Sequence, residues 1–261
     1  MILAADIGGT KCLLALARRE DGEVLEEERY ASADFANLEK LLERFLDDQD
    51  VPASEVEILS LALAGPVSEE CVTLTNLPWL VCQRSLEKQF PKARILFVND
   101  LQAAALGALQ VDEKQRLTIR DAPREAKGRK LVLGAGTGMG VAWLQPSAKG
   151  YQAWSSEAGH IAFAPEDEQE WRLLQHLRIR HGRVSWERLL SGPGLRAIYA
   201  FLAEREPAPE APVIIDQANS SSSSSGTAVE TLSLFTRLYG RFCGDMALAW
   251  PAHGGIYLSA A

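Results

Sequence analysis

Two glycine-rich segments, each with a threonine, follow short apolar runs in the two halves of the chain. They are Ile7-Gly8-Gly9-Thr10-Lys11 and Gly134-Ala135-Gly136-Thr137-Gly138-Met139-Gly140. Glycine lets the backbone approach a ligand closely, and successive N–H groups in such turns form an anion-binding concavity to which threonine adds a hydroxyl. Either segment alone is also compatible with an ordinary tight hairpin. Two turns at equivalent places in two halves fit one anionic ligand held from both sides.

Asp6 directly precedes the first of these turns. A carboxylate there could hold Mg²⁺ through water, because Mg²⁺ keeps several waters and prefers one or two carboxylates together with phosphates. The pattern GxxxxGK[ST] is absent from the sequence, so neither turn is a P-loop.

Asn99 and Asp100 follow the apolar run Ile95-Leu96-Phe97-Val98 and precede an alanine- and leucine-rich stretch. This order predicts that both side chains lie at the carboxyl end of a strand, immediately before a helix, which is where ligands bind in open α/β sheets. A carboxylate in that position can accept a proton from a substrate hydroxyl, so Asp100 is the candidate general base. The alternative is that Asp100 only caps the helix.

Three further polar side chains are candidates for binding hydroxyl groups. Glu157 and His160 are three residues apart in Glu157-Ala158-Gly159-His160, and Glu187 lies in a segment that reads VSWERLLSGPGL. A carboxylate and an imidazole can both form hydrogen bonds with hydroxyls. Glu157 and His160 could equally be surface residues, and Glu187 could be a solvated helix residue or a partner in a capping box.

Apolar periodicity supplies the elements that position these residues. Apolar runs at 2–5 and 12–17, with Asp21-Gly22 as a hairpin signal before 24–30, predict three antiparallel strands. Leucines and a phenylalanine spaced as on one helix face predict a helix over 38–46, capped by Asp34 or Asn37.

Runs at 58–64 and 95–98 predict buried strands, with a turn at Gly65-Pro66. The runs at 130–133 and 141–144 flank the second glycine-rich turn and indicate an internal repeat of the opening unit. The serine run 220–225 predicts a loop.

Length and composition fix the broad class. A chain of 261 residues with 47% hydrophobic and 24% charged residues is typical of a globular protein of about two domains. We expect an α/β domain over 1–110 and a second over 111–261, since residues 111–129 are polar and indicate a connection.

A net charge of −8 disfavours nucleic acid and anionic membranes as partners. No apolar run reaches the length of a membrane span, and the N-terminus lacks the basic region of a signal peptide. The four cysteines are therefore expected to be free thiols in a cytoplasmic protein.

These motifs, in this order, resemble those of the bacterial glucokinase family. Asp6-Ile7-Gly8-Gly9-Thr10 and the segment 134–140 match its two phosphate motifs, Asn99-Asp100 its sugar-binding and catalytic pair, and 157–160 its EGGH segment. The resemblance implies a two-domain, ribonuclease H-like (actin-like ATPase) fold with an interdomain cleft, the 1–110 domain being the smaller. It implies phosphorylation of the glucose 6-hydroxyl by ATP with Mg²⁺, Asp100 as base, and a possible homodimer. The implied glucose ligands are Asn99, Asp100, Glu157, His160 and Glu187, and the implied ATP-phosphate ligands are Asp6, Gly8, Gly9, Thr10, Gly136, Thr137 and Gly138.

Two features depart from the family pattern. Ala158 replaces the second residue of EGGH, and it would be strained by about 1 kcal/mol if that position needed a positive φ. Family members continue beyond the final Ile256-Tyr257-Leu258-Ser259 segment, so we expect the C-terminal part of the second domain to be incomplete. Three alternatives remain at this point: a kinase for another hexose or with a polyphosphate donor, a non-catalytic sugar-binding sensor, and a purely structural domain, which the matched segments disfavour.

Overall fold

A computed structural model describes residues 1–63, 70–74, 77–220 and 226–260. The chain divides into two compact units, Met1–Ala104 and Ala105–Ala261, and each is described by itself. This division falls within a helix that ends at Gln110, whereas the boundary expected from the sequence follows that helix. The turn expected at Gly65-Pro66 and residues 221–225 of the serine run lie outside the described residues. Among the helices that the structure describes, none is long and apolar enough to cross a membrane.

The second half of the described chain is mainly helical after Ser156, whereas strands and helices are mixed before it. The strands are β1 (Ile2–Ile7), β2 (Lys11–Ala17), β3 (Val24–Ala31), β4 (Ile58–Leu63), β5 (Cys71–Thr73), β6 (Leu80–Cys82), β7 (Arg94–Asn99), β8 (Lys130–Ala135), β9 (Met139–Ser147), β10 (Gly150–Ser156) and β11 (Ile256–Ala260). The α-helices are α1 (Leu38–Asp48), α2 (Gln83–Gln89), α3 (Asp100–Gln110), α4 (Glu168–His181), α5 (Gly192–Ala203), α6 (Ala211–Asn219) and α7 (Thr227–Ala249). Short 3₁₀ helices include Ala158–His160 and Trp186–Arg188.

The first unit contains a sheet in the order β3-β2-β1-β4-β7, in which β1, β4 and β7 are parallel. Alternate residues of β1 are buried, so one face of the sheet packs on the core. The apolar face of α1 joins this core through Leu38, Leu41 and Phe45. Asn37 caps α1, since its side chain accepts a hydrogen bond from the Lys40 N–H at 2.9 Å. The predicted helix is thus confirmed, and of the two candidate caps the structure shows Asn37.

The second unit contains a sheet in the order β10-β9-β8-β11. The strand β8 is antiparallel to β9 and parallel to β11, as β1 is antiparallel to β2 and parallel to β4. The internal repeat predicted from the two glycine-rich segments is therefore confirmed at the level of strand order. The helices α4, α5 and α7 complete the core of the second unit, and their buried side chains include Leu173, Ile198 and Phe242.

The expectation of four free cysteines is wrong for two of them. Cys71 and Cys82 are directly opposite each other in the β5–β6 pair and form a disulfide. The pairing depends on the register of this hairpin, which brings two positions eleven residues apart to a cross-strand pair. Cys12 and Cys243 are free thiols, and burial raises the pKa of Cys243 to about 11.

Candidate functional site

The carboxyl ends of β1, β4 and β7 form one edge of the first sheet. Ile7, Leu63 and Asn99 are opposite one another there, because Ile7 pairs with Leu63 and Leu63 with Asn99. The first glycine-rich turn follows Ile7, and Asp100 follows Asn99. The parallel register thus brings the turn and the candidate base to the same edge of the sheet, as expected for a ligand site.

Asn99, rather than Asp100, supplies the cap of α3. Its Oδ1 accepts hydrogen bonds from the N–H groups of Leu101 at 3.1 Å and Gln102 at 3.3 Å. Asp100 is the first residue of the helix, and its Oδ1 accepts from the Leu101 N–H at 2.8 Å. A helix N-terminus favours a negative charge, so the ionised form of the Asp100 carboxylate is stabilised in this position. The alternative that Asp100 merely caps the helix is not needed to explain how α3 begins.

The Asp6 carboxyl group lies close enough to Asp100 for their charges to interact. Its pKa is raised above the ordinary value, first by burial and then by the negative charge of Asp100. A divalent cation would relieve this repulsion, and a pair of carboxylates leaves coordination positions open for water and phosphate oxygens, which is the donor set that Mg²⁺ prefers. The residues present therefore fit Mg²⁺. In the part of the chain that the structure describes, no cluster of three or more His, Cys, Asp or Glu side chains forms an all-protein metal cage.

The first glycine-rich turn is held by a residue that sequence reasoning missed. The Ser32 hydroxyl donates to the Gly8 carbonyl at 2.8 Å, and the Ser32 N–H donates to the Thr10 carbonyl at 3.1 Å. Ser32 is buried, whereas Thr10 is exposed at the tip of the turn. Ser32 lies just after β3, 22 residues beyond Thr10, and only the pairing of β3 with β2 brings it to the turn. Nothing in its local sequence indicates this role.

The second glycine-rich turn joins β8 to β9, which pair as far as Ala135 and Met139. The Gly136 N–H donates to the Gly138 carbonyl at 2.9 Å, closing a tight loop with Thr137 exposed at its tip. The two turns therefore occupy equivalent places in the repeat, as predicted, and each presents a threonine.

Glu157, His160 and Glu187 come together in the second unit. The two residues that follow His160 pair with the two that precede Glu187. Ala162 forms a β-bridge with Ser185, and the Trp186 N–H donates to the Ile161 carbonyl at 3.0 Å. His160 consequently lies between the two carboxylates, with Nε2 3.7 Å from Glu157 Oε2 and Nδ1 3.8 Å from Glu187 Oε1. The side chains are 87%, 55% and 29% exposed in the order Glu157, His160, Glu187. This cluster presents acceptors and an imidazole to a polar ligand.

The 3₁₀ helix Ala158–His160 explains the departure at Ala158. Ala158 is buried in the core of the second unit and is not among the residues with a positive φ. The conditional strain expected for Ala158 therefore does not arise. The glycine requirement falls on the next residue, because a Cβ added to Gly159 would collide with the Met139 carbonyl oxygen.

A cavity of about 640 Å³ opens beside the second turn, within the second unit. Gly136 and Thr137 line one side of it, and the start of α5 with Arg196 lines another. Its remaining wall is mostly apolar and includes Ile215, Leu232, Phe235 and Tyr239. A mostly apolar cavity next to an anion-binding turn has the chemistry of a nucleotide site.

Comparisons with known proteins identify the family. The model of the glucokinase family matches residues 3–260. A glucokinase from Nostoc sp. is 33% identical over 99% of this chain and 83% of its own length, and one from Brucella suis is 34% identical over 99% of this chain and 75% of its own length. The crystal structure of a glucokinase from an Antarctic psychrotroph matches with a TM-score of 0.81 at 30% identity, covering 100% of this chain and 82% of that one. A Streptomyces griseus ROK family glucokinase in complex with glucose and AMPPNP has a TM-score of 0.64 at 17% identity, over 99% of this chain and 82% of that one, and shows the shared fold.

Proposed function

The chain belongs to the glucokinase family and has its actin-like ATPase fold, and from that premise we propose how its residues phosphorylate glucose with ATP. The activity is that of an ATP-dependent glucose kinase, since curated relatives of that name match nearly the whole chain. They favour glucose over the alternative hexoses and kinase activity over a sensor role. The assignment of individual residues is our own proposal.

Asp100 acts as the general base. Its carboxylate accepts the proton of the glucose 6-hydroxyl while O6 attacks the γ-phosphorus of ATP in line. The O6–P bond forms as the bond from the γ-phosphorus to the β,γ-bridging oxygen breaks, and ADP leaves with that oxygen. The observation that carries this proposal is the placement of Asp100 as the first residue of α3, at the same sheet edge as the first glycine-rich turn. That position supports an ionised, fixed carboxylate.

The proposed glucose ligands are Asn99, Asp100, Glu157, His160 and Glu187. The support for the last three is that His160 lies 3.7 Å from the Glu157 carboxylate and 3.8 Å from the Glu187 carboxylate. A sugar that lacks or inverts a hydroxyl would leave one of these polar groups unpaired, and such a loss discriminates strongly between substrates.

The ATP phosphates are bound by Gly8, Gly9 and Thr10 in the first turn and by Gly136, Thr137 and Gly138 in the second. Their backbone N–H groups and threonine hydroxyls would stabilise charge on the transferred phosphoryl group. The apolar cavity beside Thr137 would take the nucleoside. Asp6, with Asp100 nearby, would hold Mg²⁺, which when bound neutralises negative charge on the phosphate oxygens.

Replacing Asp100 by Asn tests the base. Asparagine keeps the shape of the side chain but cannot accept the proton, so we expect kcat to fall at least about a hundredfold, with a modest change in glucose affinity. Glucose-dependent ADP release and calorimetric glucose binding measure the two quantities. Asp47→Asn, on the exposed side of α1, is the matched control. Near-normal turnover of Asp100→Asn would remove Asp100 from the role of base.

The homodimer remains a prediction from the family resemblance, and the cytoplasmic location a prediction from the N-terminal sequence and the cysteines. Light scattering on the purified chain measures its mass in solution, and a mass of one chain would contradict the dimer. Fractionation of cells that express the protein tests the location.

A further inference from the structure

A single segment of the second unit, residues 187–192, contacts both ends of the second glycine-rich turn. At one end of the turn, the Gly136 carbonyl accepts a hydrogen bond from the Gly192 N–H at 2.8 Å. At the other end, the Met139 N–H donates to Glu187 Oε2 at 3.1 Å. Thr137 lies between these two points, so the position of its hydroxyl depends on segment 187–192.

Segment 187–192 is itself fixed on both sides. Trp186 is buried and packs against the rings of Phe163 and Phe242, with centroids 5.1 and 5.3 Å away. At the other side, the Ser191 hydroxyl donates to the Glu187 carbonyl at 2.8 Å and accepts from the Gly194 N–H at 3.0 Å, capping α5. The Glu187 side chain is therefore attached to a well-supported backbone.

The residue at position 138 is what allows this contact. A Cβ added to Gly138 would lie 2.6 Å from Glu187 Oε2, closer than a nonbonded contact allows. Glycine at 138 therefore leaves the space that the Glu187 carboxylate occupies while it accepts the Met139 N–H. The hydrogen bond and the missing side chain are separate observations, and both place Oε2 against the turn.

We propose that Glu187 is a positioning residue for the phosphate-binding turn, in addition to its contact with the sugar. One carboxylate oxygen, Oε2, holds the turn through Met139, while the other faces His160. Nucleotide affinity then depends on Glu187 even when no sugar is present. This inference rests on the proposed function, which assigns phosphate binding to Thr137 and its neighbours.

Glu157 provides a matched control for Glu187. It is the other carboxylate beside His160, at 3.7 Å, but it is 87% exposed. Both glutamates are proposed glucose ligands, so replacing either should weaken glucose binding. Only Glu187 accepts a hydrogen bond from the turn.

The test is calorimetric binding of Mg-ADP without glucose to the wild-type chain and to Glu187→Ala, Glu187→Gln and Glu157→Ala. A hydrogen bond to a charged group is lost in Glu187→Ala, so we expect its ADP affinity to fall about tenfold. Glutamine keeps an oxygen that can accept from Met139, so Glu187→Gln should stay within about threefold of wild type. Glu157→Ala should bind ADP like wild type while losing glucose affinity. Unchanged ADP affinity in a folded Glu187→Ala would overturn the proposal.

Glu187→Asp decides the matter if Glu187→Ala does not fold. It keeps the carboxylate but is one methylene shorter, so its oxygen is withdrawn from the Met139 N–H; ADP affinity should again fall, and a normal affinity would overturn the inference. Glucose phosphorylation by the wild-type chain is measured in the same preparation. A wild type that binds ADP but phosphorylates no glucose contradicts the proposed function and leaves the comparison of ADP affinities valid. A wild type that binds no ADP contradicts both.

Discussion

A methyl group added at Gly159 should disable the proposed sugar-binding cluster of Glu157, His160 and Glu187, whereas removal of the methyl group at Ala158 should not. Gly159 lies against β9, and an added Cβ would collide with the Met139 carbonyl oxygen and lie 3.0 Å from the Met139 Cβ. The obstacle is backbone, which cannot rotate away as the end of a flexible side chain can. Ala158, one residue earlier, already carries a methyl group and packs it in the core.

The size of the effect follows from the required displacement. To accept Gly159→Ala, the turn that carries Glu157 and His160 must move away from Met139 by roughly 1 Å, and a misplacement of that size can cost about a hundredfold in rate. Overpacking of this kind also lowers stability by about 1–3 kcal/mol. Ala158→Gly removes a small buried group and adds backbone freedom, so its cost should be only about 0.5–1 kcal/mol, with activity close to wild type.

Steady-state kinetics with glucose varied at saturating Mg-ATP measure both variants, and urea unfolding gives their stabilities. We expect kcat/KM for glucose to fall about a hundredfold in Gly159→Ala and to stay within about twofold of wild type in Ala158→Gly. A Gly159→Ala variant with near-normal kcat/KM would show that contact with Met139 does not fix the 3₁₀ helix Ala158–His160. Equal losses in both variants would show that the segment tolerates no change, so the specific clash would explain nothing.

Two further predictions concern stability. Reduction of the Cys71–Cys82 disulfide, which joins residues eleven apart, should lower the free energy of unfolding by about 3 kcal/mol. Melting with and without dithiothreitol measures this, and the Cys71→Ser/Cys82→Ser double variant should not respond to the reductant; an equal response would place the effect elsewhere. Asp6→Asn should raise stability at pH 7 by less than about 1 kcal/mol, because burial and Asp100 raise the pKa of Asp6 and so penalise its charged form in the folded state. This gain should shrink as the pH falls through the raised pKa of Asp6 towards its ordinary value, because wild-type Asp6 then becomes protonated and loses the charge that is penalised. A gain in stability that does not change with pH would contradict the raised pKa of Asp6.

The hairpins and the strand end near the proposed site could be predicted because their signals are local. The apolar runs before and after each glycine-rich segment predict hairpins, and both hairpins are present as β1–β2 and β8–β9. Asn99 and Asp100 follow an apolar run and precede an alanine-rich one, which was enough to place them at the end of β7 and the start of α3. In each case, neighbouring residues alone carry the information.

Features that depend on long-range register could not be predicted in the same way. Cys71 and Cys82 form a disulfide only because β5 and β6 pair with these two residues opposite each other. Ser32 reaches the first turn only because β3 returns alongside β2. The sequence also could not show whether Ala158 occupies a position that requires glycine. The structure shows that the requirement falls on Gly159, because a Cβ there would collide with Met139 in β9.

Glu187 shows how both kinds of information meet in one residue. The sequence makes Glu187 a candidate for binding hydroxyl groups, but only the β-bridge between Ala162 and Ser185 places it beside His160. The same short segment then continues to Gly192, whose N–H group donates to the Gly136 carbonyl in the second glycine-rich turn. The segment 187–192 therefore contains both Glu187, a proposed sugar ligand, and Gly192, which supports the second glycine-rich turn. A substitution in this segment that shifts its backbone should change the affinities for both substrates, because neither contact can move without the other.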